Sequence, residues 1–183
     1  RCVRIGNVYI GGNAPISVQT MTKVPTSCTE ELIKQIKRIQ NIGGEIVRVS
    51  VLNKDDIVSI GKMKNQRSIP LVADIHYDYK LALGAIDAGV DKIRVNPSNI
   101  SKNGMQIIIK KAMERKIPVR LGLNSGSIKR SNAGLVIDIV NAAMDSIKLC
   151  EDMGFFDMVI SLKTPYVKDT VTITLNSICD DRL

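Results

Sequence analysis

A chain of 183 residues, 44% hydrophobic and 24% charged, has enough apolar material for the core of one domain and too little length for two of ordinary size. That composition excludes a disordered chain, and no run reaches the ~18 consecutive apolar residues of a membrane span. Lys and Arg outnumber Asp and Glu by 26 to 18, giving +8 and an attraction for anions; with 3% aromatics and no Trp, a small phosphorylated ligand is expected, not nucleic acid or a membrane.

The N-terminus reads as a hairpin: Val3-Arg4-Ile5, a Gly6-Asn7 turn, Val8-Tyr9-Ile10 and a Gly11-Gly12 break. Short apolar strands then alternate with amphipathic helices. The strands are expected at Ile16–Thr20, Glu45–Ser50, Leu71–Ile75, Lys92–Asn96, Val119–Leu123 and Met158–Leu162. Helices are expected at Glu30–Asn41, Lys54–Gln66, Tyr79–Ala88, Lys102–Arg115, Leu135–Met153 and Val167–Cys179. Strand followed by helix, six times over, implies parallel strands with helical crossovers.

A quasi-repeat supports this reading. Gly43-Gly44-Glu45-Ile46-Val47-Arg48-Val49-Ser50 matches Gly89-Val90-Asp91-Lys92-Ile93-Arg94-Val95-Asn96 in kind at each position, and Met153-Gly154 through Asp157 to Ser161 is a looser third copy. In each, Gly suits the left-handed end of a helix and the acid opens a strand. No G-x-G-x-x-G or G-x-x-x-x-G-K is present, which disfavours nucleotide-binding doubly wound sheets. The fold class expected is α/β, a (β/α)8 barrel of TIM type truncated to about six βα units, since a complete barrel needs about 250 residues.

Cys2, Cys28, Cys150 and Cys179 show no close ligand spacing, so no metal site is expected from this chain alone. Reduced thiols and a cytoplasmic location are the simple reading. The chain starts at Arg1 without a signal pattern and reads as part of a longer product.

Strand residues two apart share a face. Arg48 and Ser50, Asp74 and His76, Arg94 and Asn96, Arg120 with Gly122 and Asn124, and Ser161 with Lys163 therefore collect at the C-terminal ends of successive strands, where barrels build active sites. One Arg in an apolar strand is satisfied by a salt bridge such as Arg94 with Asp74. Arg48, Arg94, Arg120 and Lys163 together outnumber the local acids, so a phosphate or diphosphate is the better account. Asn96 precedes Pro97 and equally suits a turn. His76, the only histidine, stands beside Asp74 and is as well explained by structure as by chemistry.

These residues fall in segments that resemble the 4-hydroxy-3-methylbut-2-enyl diphosphate synthases, iron–sulfur enzymes of the non-mevalonate isoprenoid pathway. In family order they are Ile5-Gly6-Asn7-Val8, Pro15 to Thr22, Ile46 to Val51, Pro70 to His76, Ile93 to Pro97, Arg120 to Ser127 and Ser161-Leu162-Lys163. The resemblance implies a barrel that binds 2-C-methyl-D-erythritol 2,4-cyclodiphosphate. It also implies a separate C-terminal domain with a [4Fe-4S] cluster not ligated by this chain, flavodoxin or ferredoxin as electron donor, and a homodimer when complete. By motif match, Arg48, Arg94, Arg120 and Lys163 clamp the phosphates, and Asp74, His76, Asn96 and Asn124 line the substrate pocket.

The sequence departs from the family at Lys23, at Cys28 where a helix-capping Asp is common, at Ser125, and at Thr164-Pro165 after the lysine. The last two barrel strands, with the family's glutamate and arginine, and the cluster domain are not in the sequence. The expectation is thus an oxidoreductase when complete, inactive as this fragment. The rivals are a phosphate-binding module without redox chemistry and a barrel enzyme with another phosphorylated substrate, such as a pterin-type transferase. Two open sheet edges and an open apolar inner face are expected to make the isolated chain aggregation-prone.

Overall fold

The expected alternation of strand and helix is present in the computed structural model, which describes residues 1–178. A two-stranded antiparallel hairpin, β1 (Val3–Ile5) and β2 (Val8–Ile10), comes first. Six parallel strands follow: β3 (Gln19–Met21), β4 (Ile46–Ser50), β5 (Leu71–Ile75), β6 (Lys92–Val95), β7 (Val119–Asn124) and β8 (Met158–Lys163). They pair in chain order, so each crossover connects neighbours, as in a barrel wound in one direction. The helices are α1 (Thr29–Asn41), α2 (Lys54–Met63), α3 (Tyr79–Ala88), α4 (Lys102–Arg115), α5 (Leu135–Asp152) and α6 (Val167–Ile178). The expected end of the last helix at Cys179 lies outside the described residues.

Local chemistry accounts for the helix ends. Asn53 and Asp56 form a reciprocal capping box on α2, Asp78 caps α3 and Ser101 caps α4. Cys28 occupies the cap of α1 without a side-chain hydrogen bond, the cost of the departure at that position. α2 stops at Met63 and tightens into a 3₁₀ turn over Lys64–Gln66, shorter than the apolar pattern suggests. The repeat's glycines have positive φ, +90° at Gly43 and +92° at Gly89. Its acids play one role in both copies. Glu45 Oε2 accepts the Val18 N–H at 2.7 Å and Asp91 Oδ2 the Leu71 N–H at 2.7 Å, each anchoring the entry to the preceding strand.

Alternate strand residues divide the sheet's two faces. Val47, Val49, Ala73, Ile75, Ile93, Val95, Val119 and Leu121 are buried and belong to one core with the apolar stripes of the helices, such as Leu32, Ile36 and Ile39 of α1. The other face is apolar only near the strand starts. There Ile46 and Val72 pack with Ile5, Val8 and Ile10, so the hairpin plugs the N-terminal end of the sheet's inner side. Higher on the strands this face carries charge, which corrects the expectation of an open apolar inner surface.

β3 begins three residues later than expected. Ile16 is 98% exposed and Val18 57%; β3 pairs only with β4, whose register starts at Gln19 opposite Ile46, and before it Val18 is tied to β4 through its carbonyl and the Glu45 carboxylate. β8 is likewise paired on one side only.

Candidate functional site

Parallel strands deliver their C-terminal ends to one side, and the register sets which side chains meet there. Ser50, Asp74, Arg94 and Arg120 are successive partners across β4 to β7, forming one inward-facing row. Above it, Asn124 pairs with Lys163 and Gly122 with Ser161. A cavity of about 760 Å³ opens over this end of the sheet. Arg48, Asp74, His76, Arg94, Arg120, Asn124 and Lys163 line it, seven of the eight residues singled out from sequence, together with Met21, Gly122, Ser161 and the Thr164-Pro165 turn.

Asp74 is the one acid in that lining, and it is only 4% exposed. Arg94 Nη1 donates to its Oδ1 at 3.0 Å, and Arg48 Nε stands 3.6 Å from its Oδ2. The Arg94–Asp74 pair expected as the structural explanation is therefore present, yet it leaves most of the charge unbalanced. Arg120 donates to the neutral Ser161 hydroxyl at 2.7 Å, and Lys163 has no carboxylate partner among the described residues. Burial, then the neighbouring Arg48 and Arg94, push the Arg120 guanidinium below its ordinary pKa. The buried Arg48 Nε has no hydrogen-bond acceptor. Donors crowded together without acceptors suit an anion with several oxygens.

Gly122 makes room for this arrangement. Arg94 Nη2 donates to the Gly122 carbonyl at 3.2 Å, and a Cβ on Gly122 would lie 2.5 Å from Arg94 Nε. The guanidinium thus crosses the space a side chain would fill. His76 Nε2 lies 3.9 Å from Asp74 Oδ2 on a side chain 39% exposed, at the cavity edge.

Asn96 is the exception among the predicted site residues. It is 2% exposed and absent from the cavity lining. Its Oδ1 accepts the Ser98 N–H at 3.1 Å, and its Nδ2 donates to Ser127 Oγ at 2.8 Å. The side chain caps the turn that Pro97 begins and ties it to the Asn124–Ser127 loop. Asn124 does reach the cavity; its Oδ1 accepts the Gly126 N–H at 3.0 Å and shapes the same loop.

Lys92 was missed as a site neighbour. In the sequence it shows only as the start of a strand, yet it is 1% exposed and shares the inward face of β6 with Arg94. Burial, then Arg120 and Arg48, push its pKa down to about 8. Period-two alternation from Arg94 was the signal that would have found it.

A second hollow, about 570 Å³, lies at the opposite end of the sheet, beside Arg4, Asp87, Asp91, Arg115 and Asp157. Its lining sets three carboxylates, Asp87, Asp91 and Asp157, against four cations, and Lys111 and Arg115 pair with Asp87 and Arg67 with Asp91. An anion gains less there. Among the described residues no three His, Cys, Asp or Glu side chains are grouped to hold a metal ion; Cys2 and Cys28 are exposed and Cys150 is buried. Among the described residues no helix is long and apolar enough to cross a membrane.

Residues 1–179 match the family model described as the GcpE TIM-barrel domain. The chain is 44% identical over 171 residues to the 4-hydroxy-3-methylbut-2-en-1-yl diphosphate synthase (flavodoxin) of Thermotoga petrophila, covering 93% of this chain and 50% of that protein. It is 40% identical over 177 residues to the protein of the same name from Clostridium perfringens, covering 93% and 51%. The chain thus spans about half the length of the curated relatives it matches. Among solved structures, dihydropteroate synthase from Stenotrophomonas maltophilia superposes with a TM-score of 0.74 at 13% identity, covering 96% of this chain and 71% of that one. The enzyme from Xanthomonas albilineans with 7,8-dihydropteroate gives 0.72 at 14% identity, covering 98% and 72%. At such identities the likeness is one of fold.

Proposed function

The chain belongs to the GcpE TIM-barrel domain family, and on that footing we propose that it is the substrate-binding barrel portion of a 4-hydroxy-3-methylbut-2-en-1-yl diphosphate synthase. Residues 1–183 form a partial barrel that receives 2-C-methyl-D-erythritol 2,4-cyclodiphosphate. The observation that carries this reading is the charge of the cavity: Arg48, Arg94, Arg120 and Lys163 surround a space whose one carboxylate is Asp74. A cyclic diphosphate supplies two negative charges and several acceptor oxygens within one small ring, which suits that excess.

In this reading the three guanidinium groups and Lys163 bind phosphate oxygens. Asp74 fixes Arg48 and Arg94 from below and, with His76 and Asn124, orients the sugar hydroxyls. Asn96 positions the Asn124–Ser127 loop from outside the cavity. The longer, cytoplasmic protein opens the ring reductively and expels a hydroxyl as water, drawing electrons from flavodoxin or ferredoxin and working as a homodimer. A [4Fe-4S] cluster supplies two-electron chemistry to that protein. Among the described residues no cluster ligand set is grouped, and in this reading its cysteines come from the remainder of the longer protein.

Calorimetric titration of the cyclic diphosphate at two salt concentrations, with Arg94→Ala in parallel, tests the reading. It requires salt-sensitive binding that the variant loses. Equal binding by wild type and variant contradicts the assignment of this pocket. A phosphate-binding module without redox chemistry shares the pocket but differs in lacking turnover by the purified full-length protein supplied with reductant.

A further inference from the structure

Lys92 stands where hydrocarbon would be expected. Its partner in register on β5 is Val72, which packs with Ile46 and with Ile5 of the hairpin. Arg94 lies two residues further along its own strand, toward the cavity. The charged groups on the inward face of the surrounding strands are Arg48 on β4, Asp74 on β5, Arg94 on its own β6 and Arg120 on β7, and Arg120 and Arg48 repel it. Three of those four are cationic, and the carboxylate is already engaged by Arg48 and Arg94. Among the described residues the Lys92 ammonium has no carboxylate or hydrogen-bond partner.

A lysine buried this completely without a counter-ion is costly, whereas a Met of similar reach would pack there freely. Its neighbour Arg48 is also short of acceptors: its buried Nε has no hydrogen-bond partner, with Asp74 Oδ2 no nearer than 3.6 Å. Lys92 sits two residues before the guanidinium row on its strand, and an anion in the cavity offsets the repulsion among these cations. We infer that Lys92 is a positioning residue beneath the cavity, whose ammonium strengthens anion binding through Arg48 and Arg120 and takes up a proton from solution when the ligand binds in alkaline conditions. Burial and the two guanidinium groups bring the lysine's pKa down to about 8 in the free protein. Two negative charges in the cavity oppose that repulsion and return it toward the ordinary lysine range.

This rests on the diphosphate reading of the cavity, and one experiment separates the two. The cyclic diphosphate is titrated into the purified protein by calorimetry at pH 7 and pH 9, in pairs of buffers of different ionisation enthalpy. Each of its phosphates is linked through both an ester and the anhydride oxygen, leaving no ligand proton that titrates near pH 9. Any proton counted is therefore the protein's. The expected result is uptake approaching one proton at pH 9 and little at pH 7, with Lys92→Met abolishing the uptake and binding roughly ten-fold more weakly at pH 7. A lysine that only fills space predicts no uptake and unchanged affinity in Lys92→Met; either result overturns the inference. The wild-type proton count decides the question even if the variant folds poorly. A folded wild type that does not bind at all overturns the pocket reading and this inference with it.

Discussion

Replacing Gly122 with Ala tests whether the site depends on the path of the Arg94 guanidinium. The new Cβ would stand 2.5 Å from Nε, 2.8 Å from Nη2 and 3.0 Å from Cζ. Ordinary contact requires about 3.5 Å, so the guanidinium must move by about 1 Å. It is held on two sides, by Asp74 Oδ1 at 3.0 Å and the Gly122 carbonyl at 3.2 Å, and a shift of that size breaks the first bond or the second. A charge-assisted hydrogen bond on a partly buried pair is worth about 1.5–3 kcal/mol, which corresponds to a roughly ten- to hundred-fold loss of affinity for the cyclic diphosphate. Alanine is itself better suited to a strand interior than glycine, so the fold should lose little. Calorimetry on Gly122→Ala, with a thermal melt alongside, should show weak binding by a folded protein. Affinity within two-fold of wild type would mean that Arg94 does not act from the position argued here.

Lys92→Met should raise stability at pH 7 by roughly 3 kcal/mol, the free energy of a pKa drawn from 10.5 to about 8. The folded lysine loses its proton near pH 8 and the unfolded one near 10.5, so wild-type stability should climb between those values and close the gap; urea titrations showing the opposite trend would contradict it. Asp74→Asn removes the counter-charge of Arg48 and Arg94 and should cost about 3 kcal/mol or more, partly recovered by added phosphate; an unchanged melting temperature would contradict the pairing. With β3 and β8 open at the sheet's edges and Ile16 and Val18 exposed, the 183-residue chain alone should sediment as a mixture of associated species; a single monomer with a sharp melt would refute that.

Most of the fold was legible because its signals are local. The Gly6-Asn7 turn, the glycine-acid repeat and the helix caps each act within a few residues, and β4 to β8 fall within a residue of their expected bounds. The charged row was legible because alternation puts Arg48, Asp74, Arg94 and Arg120 on one face whatever the neighbours are. Three features were not. The start of β3 depends on a ladder partner, which no stretch of sequence reveals about itself. Asn96 has the right parity for the cavity, but the turn at Pro97 lowers its amide onto Ser127 instead. Lys92 shows in the sequence only as the start of a strand, lysines usually are exposed, and the hairpin that covers this level of the inner face comes from more than 80 residues earlier in the chain.

The most direct test of the central claim is a crystal structure of the protein with 2-C-methyl-D-erythritol 2,4-cyclodiphosphate bound. The account predicts both phosphates at the C-terminal ends of the strands, their oxygens accepting hydrogen bonds from Arg48, Arg94, Arg120 and Lys163. A ligand at the opposite hollow beside Arg4 and Arg115, or one whose phosphates touch none of those four cations, would contradict it.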